Sequence, residues 1–252
     1  MLFGARTNQH VSKVTMRRTL KKLGLQSRIP RRKPLLSETN RQKRLDFALA
    51  YRHWTQRQWR KVFFSDESTF SQFAQGRSDR VWRELSEGFH QSCVAAVKHP
   101  PNRMFWGGFS YQGLGPIVAL QGSVTGAVHA ETLRHVLPSM RKHFPRGDGY
   151  FQEDNAAPHR SKVAVAVREA AGIRTLPWPA QSPDLNPIEN LWREMKSTVS
   201  RRTPASSSLV ELEKYVKAAW KDIPPEYYKN LIDSMPRRIE AIIAANGCIT
   251  KY

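Results

Sequence analysis

The stretch PWPAQSPDLNPIENLW, residues 177–192, places four prolines in eleven positions immediately before an amphipathic helix pattern. Asn186 is a good N-cap, Pro187 suits the first helical position, and Glu189 then stands third, as in a capping box. Apolar residues recur at helical spacing and predict a buried face made of Ile188, Leu191, Trp192, Met195 and Val199. The pattern therefore predicts a glutamate held at the start of a buried helix, either as a cap alone or as a functional carboxylate.

The charge of the chain is concentrated near its N-terminus. The 252 residues include 41 Lys and Arg against 21 Asp and Glu, a net charge of +20. Residues 1–62 carry 17 basic and 2 acidic residues, a net of +15, whereas residues 63–252 carry 24 and 19, a net of +5. A basic arm on a nearly balanced body indicates a polyanionic partner. No apolar run approaches the roughly 18 residues of a membrane-spanning helix and no signal-peptide pattern is present, so double-stranded DNA is expected rather than a membrane.

The two cysteines, Cys93 and Cys248, are far apart and have no His or Cys neighbours at zinc-binding spacing. This pattern argues against a disulfide framework and a zinc finger, and it fits an intracellular compartment. A metal in this chain is therefore expected to have oxygen ligands.

The N-terminal part predicts a small basic DNA-binding segment, residues 1–26, followed by a basic linker and helix, residues 27–58. The stretch TMRRTLKKLGL (15–25) reads as a short helix that ends at Gly24. The linker SRIPRRKP (27–34) either lies along phosphates or serves as a nuclear import signal. Ser37 is the expected N-cap of the next helix. The expected DNA contacts here are Arg17, Arg18, Lys21, Lys22, Arg31, Arg32 and Lys33, although a solvated charged face is the usual meaning of such runs.

The remaining chain predicts an α/β domain, residues 59–205, with C-terminal helices, residues 206–252, packed on it. The apolar run 62–64 predicts a strand that Asp66 ends, with Phe70 and Phe73 starting a hairpin partner. Further strands are expected within 102–122, before Asp154 and at 173–178, with helices between and after them. This order predicts a mixed sheet covered by helices.

Three carboxylates, Asp66, Asp154 and Glu189, stand at predicted strand ends and at a helix start. Ligands of open α/β sheets gather outside the carboxyl ends of strands, so the three are expected to converge, whereas singly each Asp reads as a turn residue. Carboxylates repel DNA unless a cation intervenes, and Mg²⁺ or Mn²⁺ prefers such oxygens. Two ions about 3.5–4 Å apart would support in-line phosphoryl transfer. Arg193 and Lys196, beside Glu189 on the helix, could meet phosphate.

Several motifs resemble the DDE transposases of the Tc/mariner superfamily: VFFSDESTF, FQEDNAAPH, LPWPAQSPDLNPIENLW and the closing GCITKY. The 34 residues between Asp154 and Glu189 match the branch whose third acid is glutamate. The resemblance implies an RNase H-like catalytic domain with Asp66, Asp154 and Glu189 as metal ligands. It also implies cleavage at transposon ends, attack of the freed 3′-hydroxyl on a TA target, a homodimer in the active complex and a nuclear location. Asn155 and His159 match the family's pattern after the second acid, and a structural hydrogen bond and catalysis are both open for His159.

One departure from the family concerns the N-terminus, where relatives usually carry two helix-turn-helix units. Here only the end of the second is recognisable, with residues 14–23 matching its recognition helix, so little preference for terminal-repeat sequences is expected. Residues 76–101 stand where relatives have a loop that can clamp a partner subunit, and a surface loop is the alternative. The competing functions are an inactive or domesticated DNA-binding protein, a glycoside hydrolase with paired carboxylates, and a host nuclease of the same fold.

Overall fold

The computed structural model describes residues 12–27, 35–72, 101–202 and 206–252. The chain divides into two compact units, Met1–Leu35 and Leu36–Tyr252. Phe73, the proposed clamp loop up to residue 100 and the linker residues Arg31, Arg32 and Lys33 lie outside the described residues.

In the first unit, helix α1 spans Lys13–Lys22. The Ser12 side chain caps it by accepting a hydrogen bond from the Thr15 main-chain N–H at 3.2 Å. Gly24 follows the helix with a φ of +75°, a left-handed conformation that glycine adopts without strain. The predicted helix and its terminating glycine are therefore confirmed.

The second unit is built on a mixed five-stranded sheet with the order β3-β2-β1-β4-β5. The strands are β1 (Val62–Ser71), β2 (Asn102–Ser110), β3 (Gly113–Leu120), β4 (Tyr150–Gln152) and β5 (Arg174–Thr175). Strands β1, β2 and β3 pair antiparallel, while β4 pairs parallel with both β1 and β5. The predicted mixed sheet is confirmed.

Helices cover both faces of this sheet. They are α2 (Glu38–Ala50), α3 (Gln56–Trp59), α4 (Gly126–His143), α5 (Lys162–Ala170), α6 (Ile188–Ser200), α7 (Leu209–Lys221), α8 (Pro225–Asp233) and α9 (Met235–Ala244). Successive side chains of β1 alternate between the faces. Phe64 belongs to the core that contains residues of α2, α6, α7 and α9, whereas Phe63 belongs to the core under α4 and α5. None of the helices in the described ranges is both long and apolar enough to cross a membrane.

Two boundaries differ from the sequence-based expectation. Strand β1 continues through Asp66 to Ser71 because it stays paired with β2, where Asp66 stands opposite Gly107. Asp66 therefore lies within a strand, and the expected break and hairpin at Phe70 were wrong. Helix α6 begins at Ile188, one residue later than the capping-box pattern predicted, so Glu189 is its second residue.

The proline-rich segment is fastened to the core by a fully buried ion pair between Arg44 of α2 and Asp184. The two guanidinium Nη atoms donate to the two Asp184 oxygens at 2.8 Å each. Arg44 also donates to the Gly247 carbonyl, and the Thr250 N–H and hydroxyl donate to Asp184 Oδ2 at 2.8 and 2.9 Å. The conspicuous acid of SPDLNP is thus a structural link between α2, the proline-rich segment and the C-terminal tail.

Candidate active site

Asp66 lies partly buried in β1, at the point where β2 presents a glycine. A Cβ atom on Gly107 would lie 2.7 Å from the Trp192 ring, so only glycine leaves room for that indole. The Trp192 Nε1–H donates to Asp66 Oδ2 at 3.1 Å. The tryptophan predicted for the apolar face of α6 therefore also orients the first acid.

Ser65, the residue before Asp66, holds the segments that carry the other two acids. Its N–H donates to the Gln152 side chain at 3.1 Å, and its hydroxyl donates to the Gln152 carbonyl at 2.7 Å. On the other side, Asn186 Nδ2 donates to the Ser65 carbonyl at 3.1 Å. Gln152 precedes Asp154 by two residues and Asn186 precedes Glu189 by three. These buried contacts bring the three segments together.

The electrostatics of Asp66 show that the acids act on one another. Burial raises its pKa well above the ordinary aspartate range, and the charges of Glu189, then Glu67, and more weakly Asp154 add to the rise. An acid surrounded by other acids loses its proton less readily because each ionised neighbour repels the new charge. The pKa of Asp66 thus depends on its acidic neighbours Glu189, Glu67 and Asp154.

Asp154 follows β4 by two residues, and its side chain is half exposed. Its Oδ1 accepts from the Ala156 N–H at 2.9 Å and lies 2.6 Å from His159 Nδ1. Burial alone would raise the pKa of Asp154, but the contacts with His159 and Ala156 lower it below the ordinary value. Asp154 is thus ionised at neutral pH, as a metal ligand needs to be.

His159 is buried between two carboxylates. Its Nδ1 faces Asp154, and its Nε2 lies 3.2 Å from Glu67 Oε1. Burial by itself would lower the pKa of His159, yet the contacts with Asp154 and Glu67 raise that pKa to about 10. Glu67, His129 and His159 place one ligand atom each within 4.8 Å of one another.

Sequence reasoning missed Glu67. Its signal was its position: it directly follows Asp66, and the two-residue period of a strand turns it to the opposite face of the sheet. It meets His159 there, near His129 of α4, whose Nδ1 lies 3.9 Å from Glu67 Oε1. Asn155, the other residue singled out after Asp154, donates its side-chain amide to the Trp178 carbonyl and so ties this loop to the proline-rich segment.

Glu189 is the second residue of α6, and the residues next to it fix where this helix begins. Asn186 Oδ1 accepts from the Ile188 N–H at 3.3 Å, but the N-cap of α6 is Pro187, which makes no side-chain cap hydrogen bond, so the predicted Asn186 N-cap was wrong by one residue. Asn190 Oδ1 accepts from the buried Arg238 of α9 at 2.8 Å. Ile188 is itself fully buried. Most of this motif thus serves to place Glu189.

The basic residues predicted to contact DNA are distributed over both units. Exposed positions on α1 hold Arg17, Arg18, Lys21 and Lys22. Arg193 and Lys196 are exposed on α6, where the Lys196 Nζ lies 5.6 Å from the centre of the Phe70 ring. Each of these cations is therefore accessible to a phosphate.

Comparison with protein families gives two matches. A model of a Tc3-type helix-turn-helix, described as a transposase, matches residues 4–53. A model described as DDE superfamily endonuclease matches residues 61–211.

Similar proteins and structures agree with these matches. The Tc1 transposase of Caenorhabditis elegans is 36% identical over 246 residues, 96% of this chain and 88% of that relative. The Tcb1 transposase of Caenorhabditis briggsae is 35% identical over the same coverage. The Mos1 transposase paired-end complex superimposes with a TM-score of 0.79 at 19% identity, covering 96% of this chain and 72% of that one. The Mos1 catalytic domain gives 0.69 at 18% identity, covering 88% of this chain and all of that one.

The structural matches establish an RNase H-like fold for the α/β domain, and the sequence matches establish the family. The chain is a DNA transposase and belongs to the DDE transposases of the Tc/mariner superfamily.

Proposed function

We propose that this transposase cleaves DNA at transposon ends and joins the freed 3′-hydroxyl to a TA target by metal-dependent phosphoryl transfer. Asp66, Asp154 and Glu189 hold two divalent ions, Mg²⁺ or Mn²⁺, in this proposal. The supporting observation is the set of buried hydrogen bonds between Ser65 of β1 and the residues Gln152 and Asn186. These bonds connect the segments that carry Asp154 and Glu189 to the strand that carries Asp66. Such segments are 87 to 121 residues apart in sequence, so local propensity does not explain their meeting.

The residues present fit divalent cations of this type. Their donors are carboxylate oxygens, which Mg²⁺ and Mn²⁺ prefer to nitrogen or sulfur. Burial is the largest cause of the raised pKa of Asp66, and the charges of other carboxylates are the next largest. A bound cation reverses this effect because it stabilises each ionised acid. The Mos1 complexes include structures with Mn and with Mg, which supports the same choice of metal here.

The side chains in and around the three acids would have separate roles in this reaction. Trp192 keeps the Asp66 carboxylate oriented, and the contacts on Oδ1 keep Asp154 ionised and oriented. Glu189 lies in the first turn of α6, where the positive end of the helix dipole favours its ionised form. When bound, two ions activate the attacking oxygen and stabilise the leaving oxygen of the phosphodiester.

A nicking assay on a supercoiled plasmid carrying the element's ends tests the proposal. Glu189→Gln keeps the size of the side chain but removes the anion, so cleavage in Mg²⁺ should collapse while DNA binding persists. Glu194→Gln, on an exposed position of the same helix, is the matched control and should cleave like the parent. Parent-like nicking by Glu189→Gln would mean that Glu189 only caps the helix. Cleavage without joining would indicate a nuclease, and binding without cleavage by the parent would indicate a domesticated DNA-binding protein.

The finer aspects of DNA recognition and assembly belong to the same proposal. The Mos1 structures include paired-end complexes with DNA, which supports a homodimer of this chain that holds two transposon ends. The basic residues of α1 and of 27–34 would supply sequence-independent affinity, with little preference for terminal repeats. Mass photometry with and without end DNA would test the dimer, and competition with random duplex would test the preference.

A nuclear location is proposed from the basic segment 27–34. A fluorescent fusion of the full chain should accumulate in nuclei, and replacing Arg31, Arg32 and Lys33 with alanine should reduce that accumulation. An unchanged distribution would show that these three residues are not an import signal.

A further inference from the structure

We propose that His159, held in place by Glu67, is the positioning residue of Asp154 and fixes which carboxylate oxygen faces the metal ions. The inference rests on the proposed function, because it has content only if Asp154 is a metal ligand. It concerns a side-chain bridge from Asp154 through His159 to Glu67, whose side chain lies on the opposite face of β1 from that of Asp66.

The contacts of Asp154 carry the first step. The Ala156 N–H and His159 Nδ1 both engage Oδ1, at 2.9 and 2.6 Å. His159 Nδ1 also lies 3.2 Å from the Asp154 carbonyl. A half-exposed aspartate would otherwise rotate among several staggered conformations and about its broad terminal torsion. With Oδ1 engaged twice, Oδ2 is the oxygen that we assign to the metal.

The surroundings of His159 carry the second step. On the far side of its ring, Nε2 lies 3.2 Å from Glu67 Oε1. The ring packs against that of His129, with the centres 3.9 Å apart. Arg168 of α5 donates to the His159 carbonyl at 3.0 Å. The histidine is therefore held on four sides, with Glu67 joining it to the strand that carries Asp66.

The same contacts distinguish a positioning role from a ligand role. Carboxylate oxygens only accept hydrogen bonds, so both nitrogens of a histidine placed between two carboxylates carry hydrogen. Asp154 and Glu67 thus engage both ring nitrogens of His159. His159 acts on the metal site through Asp154 and not by direct coordination.

Two amide variants of His159 test its contact with Asp154 and its contact with Glu67 separately. In His159→Asn the amide nitrogen takes the place of Nδ1 and can still donate to Asp154. In His159→Gln it reaches the place of Nε2, toward Glu67, and Asp154 no longer has that donor. His143→Asn is the matched control, because His143 is a partly buried histidine of α4 whose Nδ1 lies 2.9 Å from Ser110.

The main readout is the binding of Mn²⁺ to the full chain without DNA. It is monitored through the electron paramagnetic resonance signal of free Mn²⁺. We expect His159→Gln to weaken Mn²⁺ binding about 10- to 100-fold, the usual loss when an outer partner of a ligand is removed. His159→Asn should retain most of the affinity, and His143→Asn should bind like the parent. In nicking assays the half-saturating Mn²⁺ concentration should rise for His159→Gln, while the rate at saturating Mn²⁺ approaches that of the parent.

Parent-like Mn²⁺ binding by His159→Gln would overturn the inference. Equal losses in His159→Asn and His159→Gln, together with equal falls in Tm, would also overturn it in favour of a purely structural role. If both variants fail to fold, Glu67→Gln and Glu67→Ala decide: glutamine keeps an oxygen for Nε2, so only alanine should weaken Mn²⁺ binding. Asp154→Asn is measured in parallel, and its unchanged Mn²⁺ binding would refute the proposed metal site itself rather than the bridge.

Discussion

Asp184→Asn should destabilise this protein more than most single substitutions, because it leaves the Arg44 charge buried without its partner. Both side chains of the pair are fully buried. Removing one partner of a buried ion pair costs about 3–5 kcal/mol in the free energy of unfolding. For a chain of this size each kcal/mol lowers Tm by about 2–4 °C, so Tm should fall by roughly 6–20 °C. The two hydrogen bonds from Thr250 would also weaken.

Thermal unfolding by circular dichroism, with Glu38→Gln as the control, measures this effect. Glu38 lies on the same helix as Arg44 but pairs with Arg41 at the surface, where solvent screens the interaction. Its substitution should leave Tm nearly unchanged. A fall in Tm for Asp184→Asn no larger than for Glu38→Gln would refute the reasoning. Replacing Arg44 and Asp184 together by apolar residues should recover part of the loss, because no unpaired charge then remains buried.

Three further predictions concern Asp66 and the basic helix α1. Trp192→Phe keeps part of the ring volume beside Gly107 but removes the donor to Asp66 Oδ2, so plasmid nicking should slow roughly 10-fold or more. Because Trp192 is buried in the core, Tm should also fall, and nicking is compared at a temperature at which both proteins are folded. An unchanged nicking rate would show that this hydrogen bond is dispensable. The pKa of Asp66 is raised in the metal-free native state, so this state keeps a proton that the unfolded chain has already released. The free energy of unfolding should therefore fall as the pH rises from the ordinary aspartate pKa to the raised one. Urea unfolding of Asp66→Asn without metal should lack this fall, and identical pH profiles of variant and parent would contradict it. Replacing Arg17 and Arg18 with alanine should reduce the slope of log affinity against log salt by about 0.9 for each phosphate that is no longer neutralised. Fluorescence anisotropy with duplex DNA measures this slope, and an unchanged slope would exclude both side chains from the DNA interface.

The local features of the fold were predictable because they depend on short stretches of chain. Ser37 caps the N-terminus of α2 as its residue type predicts, since a hydroxyl three residues ahead of an unpaired N–H can accept from it. Gly24 and Gly172 close helices with positive φ for an equally local reason. The mixed sheet followed from the order of strand-like and helix-like patterns.

Predictions that depended on pairing between strands were less secure. A turn at Asp66 was a reasonable interpretation of the isolated sequence, since aspartate is common in turns. Pairing with β2 keeps the strand extended for five more residues, and that pairing involves residues about forty positions away. Glu67 was overlooked for a related reason: its partner His159 is 92 residues away, so no local pattern reveals the contact.

The sequence by itself determined the family and the basic N-terminal segment, singled out the three acids as candidates and predicted a helix start beside Glu189 to within one residue, because specific motifs and local propensities carry that information. Only the tertiary structure decided how the acids are supported: Ser65 joins their segments, Trp192 orients Asp66, and Arg44 fastens the proline-rich segment through Asp184. The Arg44–Asp184 contact spans 140 residues. Such partners are selected by the packing of whole helices and strands around one core, and no short window of sequence contains both members.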